Sequence, residues 1–151
     1  MSTLDTGMYT LHLLFGGLWT GAVVFVTVGV LPTAKSGVAN AEPLGRVVGR
    51  LRNLSRLSAL VMLATGGHMA GTGYTVDSLT GTPRGHLVLT MLGLWVLLIG
   101  LVEVGGGKLA DGFDRKKVRG PAREARPFML AASGVSVLLL LVAGLLISGV
   151  A

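Results

Sequence analysis

Three histidines, at positions 12, 68 and 86, are the side chains best suited to chemistry in this 151-residue chain. Each falls within or beside a long uncharged stretch, where an ionisable group is costly unless it has a partner. Imidazole is also the commonest metal ligand and a proton shuttle near neutral pH. The chain has no cysteine, which excludes thiolate metal sites, disulfides and thiol catalysis. It has no phosphate-binding glycine loop, no Ser/His/Asp arrangement and no carboxylate pair. What surrounds the histidines is thioether and glycine. Met8 lies one helical turn before His12 on the same face, and Met69 adjoins His68. Imidazole combined with soft thioether suits copper, Cu(I) in particular. Gly16 follows His12 by four residues, and Gly66-Gly67 precede His68. Missing side chains at Gly16 and Gly67 leave room for a flat macrocycle, so haem b held by axial histidines is the rival chemistry. Gly17, Gly21 and Gly29 read instead as close helix packing.

The elements that must carry these groups are membrane helices. Half the residues (51%) are hydrophobic, 13% are charged, and the mean hydropathy is +0.72. Such a composition belongs in a bilayer. Four uncharged stretches, 6–34, 57–76, 85–102 and 127–151, are each close to or above the ~20 residues that span ~30 Å of hydrocarbon. Backbone groups in lipid must be satisfied within the segment, so all four read as helices. The expected fold is all-α: a four-helix transmembrane bundle forming one domain over 1–151, with helices at about 8–32, 43–73, 85–106 and 126–150. The first stretch reads as a retained span and not a signal peptide, because Asp5 precedes it, no basic residue does, and it exceeds an ordinary h-region.

Charge sets the expected orientation. Lys35, Arg46, Arg50, Arg52 and Arg56 lie between the first two stretches. Lys108, Arg115, Lys116, Lys117, Arg119, Arg123 and Arg126 lie between the last two. Of the 13 basic residues only Arg84 falls elsewhere, so the two basic connections are expected in the cytoplasm and both termini outside. The net charge of +6 then speaks for contact with anionic lipid, not nucleic acid. This topology brings His12, His68 and His86 to similar depth in the outer leaflet, as a site shared between facing helices requires.

Finer expectations follow. Pro43 opens the second helix, with Leu44, Val47, Val48, Leu51 and Leu54 at helical spacing. Gly105–Gly107 loosen the end of the third helix, and Pro121 and Pro127 mark the restart before the fourth. The segment 71–85 is a short turn-rich loop with Tyr74 at the interface. Glu103 pairs with Arg56 or Lys108 near the inner interface, and Trp19 and Trp95 belong to the core. His12-Leu13 and Trp19 echo His86-Leu87 and Trp95, the outline of a duplicated hairpin.

The stretch HLLFGGLWTGAVVFVTVGVLP resembles the first helix of the CopD-like copper-resistance membrane domain: a histidine, Trp-x-Gly, and an apolar run ending in Leu-Pro. RLSALVMLATGGHMAGT resembles its second helix, and the last two spans match by hydropathy only. The resemblance implies copper uptake, transfer or resistance through an outer-leaflet site of His12, His68 and His86 with Met8 and Met69. The pattern is also similar to HemJ-type protoporphyrinogen oxidases, four-helix haem b proteins that pair a first-helix histidine, here His12, with a third-helix lysine. The third span of this chain has no lysine, and His86 is its nearest basic residue, so that resemblance leaves bis-histidine ligation of haem b open, in electron transfer or tetrapyrrole oxidation. Copper and haem b both stay open as cofactors, and enzymatic activity is undecided. The expected partners are the lipid bilayer of the cell membrane, anionic lipids at the basic loops, and a homodimer or membrane partner subunit. A non-catalytic accessory subunit is the remaining alternative.

Overall fold

A computed structural model describes residues 2–149, and among these no strand occurs. Helix α1 (Thr3–Phe25) passes through a π turn (Val26–Val30) into α2 (Leu31–Ser36). Then come α3 (Ala41–Gly73), the short α4 (Val76–Gly81), α5 (Pro83–Asp114) and α6 (Arg119–Ser148). The expected end of the last helix at 150 lies outside the described residues. Both α1 and α5 pack on α3 and on α6. The start of α1, the end of α3, the start of α5 and the end of α6 share one end, called here the terminal end. The Lys/Arg-rich connections share the other, the basic end.

Three segments are long and apolar enough to cross a membrane: Thr3–Ser36, Pro83–Asp114 and Arg119–Ser148. Helix α3 is as long, but charges occupy its first half, and its uncharged part ends at Gly73. The outward surface is strongly apolar: Leu13, Phe25, Leu60 and Leu141 are each more than half exposed. A face of that kind suits lipid and not water. Inside, Trp19, Val23, Leu98, Val102, Leu109 and Met129 are buried at the helix contacts.

Local chemistry explains the boundaries. Ser2 caps α1 reciprocally: its hydroxyl accepts from the Asp5 N–H at 3.1 Å, and its own N–H donates to the Asp5 carboxylate at 2.8 Å. The π turn stands one turn before Pro32, whose ring has no N–H and collides with the carbonyl four residues back in a regular helix. Widening relieves that collision: the Leu31 N–H reaches back five residues to the Val26 carbonyl. Asn40 is the N-cap of α3, and Pro43 sits in its first turn, close to the expected start.

Several expectations are corrected. The third long helix does not loosen at Gly105–Gly107 but runs on to Asp114. Gly105 and Gly106 are buried there, the first against Phe128 and Met129, the second against the stem of Arg52. Their missing side chains admit neighbours and leave the helix intact. Pro121 and Pro127 lie inside α6, which already starts at Arg119. Pro121 occupies the first turn, where its lost N–H had no helical partner, and its ring fills the space that a Cβ on Gly112 would take. Gly17 and Gly21 face outward with nothing within 4 Å, and Gly29 meets only Phe25 of its own helix, so these glycines pack no helix pair within the chain. The segment 71–85 is not all loop: Thr75 caps α4 with a reciprocal Ser78 bond, and Thr82 caps α5 through the Gly85 N–H.

Candidate functional site

His12 and His68 face each other's helices along the α1–α3 seam near the terminal end. The His12 ring lies against Gly66, close enough that a Cβ there would stand 3.1 Å from Cε1. Its Nδ1 is 2.7 Å from the Thr65 hydroxyl, and that hydroxyl is also 2.7 Å from the Val61 carbonyl. A carbonyl only accepts, so the Thr65 proton goes to Val61 and the hydroxyl oxygen accepts from His12 Nδ1–H. The tautomer is thereby fixed, and the lone pair of Nε2 is left unused.

One turn along α3, His68 Nε2 is 3.0 Å from the Asp5 carboxylate, with about a quarter of the imidazole exposed. The carboxylate accepts, so Nε2 carries a proton, and in the neutral ring Nδ1 keeps the lone pair. His86 is exposed and donates from Nε2 to the Thr80 carbonyl at 2.7 Å, tying the start of α5 to α4. Each imidazole therefore gives one N–H to a neighbour and keeps one nitrogen as a donor pair. This is the outer-shell pattern that orients metal-binding histidines.

The three rings do not form one cluster. Among the described residues no group of three or more His, Asp or Glu is placed to hold a metal ion together. His12 and His68 share a seam, whereas His86 sits on a different helix with its own partner. Met62 packs beside Gly16, its methyl 3.5 Å and its sulfur 3.8 Å from where a Cβ would stand, which is ordinary van der Waals contact. Gly67 is exposed with nothing within 4 Å. Met8 and Met69 are each partly buried.

Below the histidines the seam stays polar. The Trp19 indole N–H donates to Ser55 at 2.9 Å in a buried bond. Fully buried Ser58 Oγ and the Trp95 indole nitrogen have no hydrogen-bond partner among the described residues. At the basic end Glu103 of α5 binds Arg56 through both oxygens, at 2.9 and 3.0 Å, and Arg52 at 2.9 Å. The expected pairing with Arg56 holds and Arg52 joins it. Lys108 instead lies 5.7 Å from the centre of the Phe128 ring. Asp5, Thr65 and Arg52 are the partners that reading the sequence alone missed. The available signals were Asp5 two turns before His12, Thr65 three residues before His68, and Arg52 one turn before Arg56.

The family model for copper resistance protein D (CopD) matches residues 45–149. The chain belongs to the CopD family. It is accordingly a multi-pass membrane protein, and its family is one of copper resistance. The CopD match corrects the reach of the resemblance: it starts within α3 and covers α4, α5 and α6, so His68 and His86 lie inside it and His12 outside. No curated protein and no solved structure gives a significant match.

Proposed function

We propose that this CopD-family chain handles copper at its extracellular end, taking Cu(I) between the His12 and His68 imidazoles for uptake, transfer or resistance. The observation that carries this reading is the fixed tautomer of His12. Its Nδ1–H is spent on Thr65, which leaves Nε2 as a ready donor in apolar surroundings, with His68 one turn away in the mirrored arrangement. Imidazole and thioether both suit Cu(I), and Met8, one turn before His12 in sequence, and Met69, next to His68, are both partly buried.

In this reading all four long helices cross the bilayer. Helix α3 bonds to α1 at Ser55, Thr65 and His68, so it lies beside an apolar span along most of that length. Arg52 and Arg56 mark its exit at the headgroups. The basic end faces the cytoplasm and both termini face outward. Two guanidiniums bound to Glu103 repel a metal cation at the inner end of the seam, so onward passage needs a second copy or a partner subunit.

The test is anaerobic Cu(I) titration of detergent-purified protein against a chromophoric chelator. Wild type should bind about one Cu(I), and His12→Ala and His68→Ala should each lose at least tenfold in affinity while keeping the helical circular dichroism of wild type. Equal copper binding by wild type and the double variant overturns the reading and leaves an accessory subunit. A Soret band in the purified protein overturns it in favour of haem.

A further inference from the structure

The strongest unassigned feature lies at the opposite end of the molecule from the histidines. Where α1 turns through its π segment into α2, a cavity of about 350 Å³ opens against α6, lined by Thr27, Leu31, Pro32, Lys35, Arg126 and Leu130. Two of these are cations from different helices, and neither Lys35 nor Arg126 forms an ion pair with any described residue. The rest of the lining is apolar except Thr27. That hydroxyl is already committed: it contacts the Val23 and Met129 carbonyls at 2.8 and 3.1 Å and accepts from Ser133 at 2.8 Å. It is a wall of the cavity and not a ligand.

The geometry points to a binding site for the phosphate headgroup of an anionic phospholipid, held by Lys35 and Arg126, with its glycerol and upper acyl chains along Leu31, Pro32 and Leu130. Three features select a lipid over a free anion. Lys35 lies at the end of the apolar segment Thr3–Ser36, and Arg126 directly precedes the uncharged run of Arg119–Ser148, the positions where a span meets headgroups. Leu31, Pro32 and Leu130 give the cavity apolar walls, which inorganic phosphate has no use for. Lys35, just past the π turn, and Arg126 of α6 also line the one cavity from separate helices, so that both can reach a single headgroup. Arginine grips a phosphate through two parallel N–H bonds, and lysine adds a point charge. Basic pockets between spans are the usual seats for such headgroups. The proposal makes no use of copper and does not depend on the histidine site.

The test is native mass spectrometry of the full chain released from nanodiscs that contain equal phosphatidylglycerol and phosphatidylcholine. Wild type should retain phosphatidylglycerol selectively. The double variant Lys35→Gln/Arg126→Gln should retain at least tenfold less, whereas the charge-matched control Lys116→Gln/Lys117→Gln should retain as much as wild type. Equal loss in both double variants overturns the site in favour of diffuse surface attraction, and so does equal retention in all three. Displacement of the lipid by millimolar inorganic phosphate overturns it in favour of a simple phosphate site. If Lys35→Gln/Arg126→Gln fails to fold, Leu130→Glu serves: it puts a carboxylate in the cavity, and retention unchanged from wild type there overturns the proposal.

Discussion

Thr65 decides which nitrogen of His12 is free. Replacing it with valine keeps the shape and removes the acceptor, so the ring loses its preferred tautomer. Outer-shell losses of this kind cost about 10–100-fold in metal affinity. Thr65→Val should therefore weaken Cu(I) binding about tenfold, with Thr65→Ser restoring it; the same chelator titration checks both. The two serines about two to three turns lower on α3 test a different point. Ser55→Ala leaves the buried Trp19 N–H without its acceptor and should destabilise by about 1–3 kcal/mol. Ser58→Ala removes a buried hydroxyl that has no partner and should be neutral or stabilising by up to about 1 kcal/mol. Detergent unfolding followed by circular dichroism separates them, and a Ser58→Ala loss as large as that of Ser55→Ala contradicts the hydrogen bonding described. His12, His68 and His86 were legible as candidates because an ionisable group stands out in apolar sequence. Their partners were not. Hydropathy gives depth, whereas the face of a helix decides contact, and Asp5 reads as a solvated leader until α3 is docked beside it.

The connection from α5 to α6 shows how an element boundary carries a measurable cost. Lys116 adopts φ 58°, and the Lys117 and Lys116 N–H groups fold back onto the Gly112 and Phe113 carbonyls. That is a Schellman closure with lysine where glycine is the usual residue. A non-glycine residue in the left-handed region costs roughly 1–2 kcal/mol. Lys116→Gly should thus raise the unfolding midpoint, an effect of about 1 kcal/mol, without altering copper or lipid binding. Gly112→Val should do the opposite: a side chain there meets the Pro121 ring, and overpacking of this sort costs about 1–3 kcal/mol. The four apolar stretches announced the four long helices, three of which are apolar enough to cross a membrane. The extensions past them were hidden. Residues 107–114 and 119–126 stay helical because α5 and α6 keep packing on one another beyond the apolar zone, with Gly112 against Pro121. Composition reads those same residues as loop. The π turn and α4 were hidden too, being set by Pro32 and by the Thr75 cap instead of by periodicity.

For the molecule as a whole, the absence of cysteine makes orientation directly measurable, since any introduced thiol is unique. Thr75→Cys, in the connection between α3 and α4, should react with an impermeant maleimide added to intact cells. Lys117→Cys should react only after permeabilisation. The reverse pattern inverts the topology and with it the side on which copper is met. The Glu103 cluster ties α3 to α5 at the basic end. Glu103→Ala leaves Arg52 and Arg56 facing each other without a carboxylate. With the three side chains between about a quarter and just over half exposed, the expected loss is only about 1–2 kcal/mol, read as a lower unfolding midpoint.

A π turn amounts to one residue added to a helix without disturbing the coil on either side. In Val26–Val30 that surplus residue absorbs the rotation of about 100° that an insertion otherwise passes to everything beyond it. The gene can therefore lose a codon here more safely than anywhere else in the first span. Deleting Val28, which faces outward, together with Pro32→Ala should restore an ordinary helix in which His12 and Lys35 keep their bearings. The same deletion at Leu14 turns His12 and Trp19 onto different sides of the rod and should abolish folding.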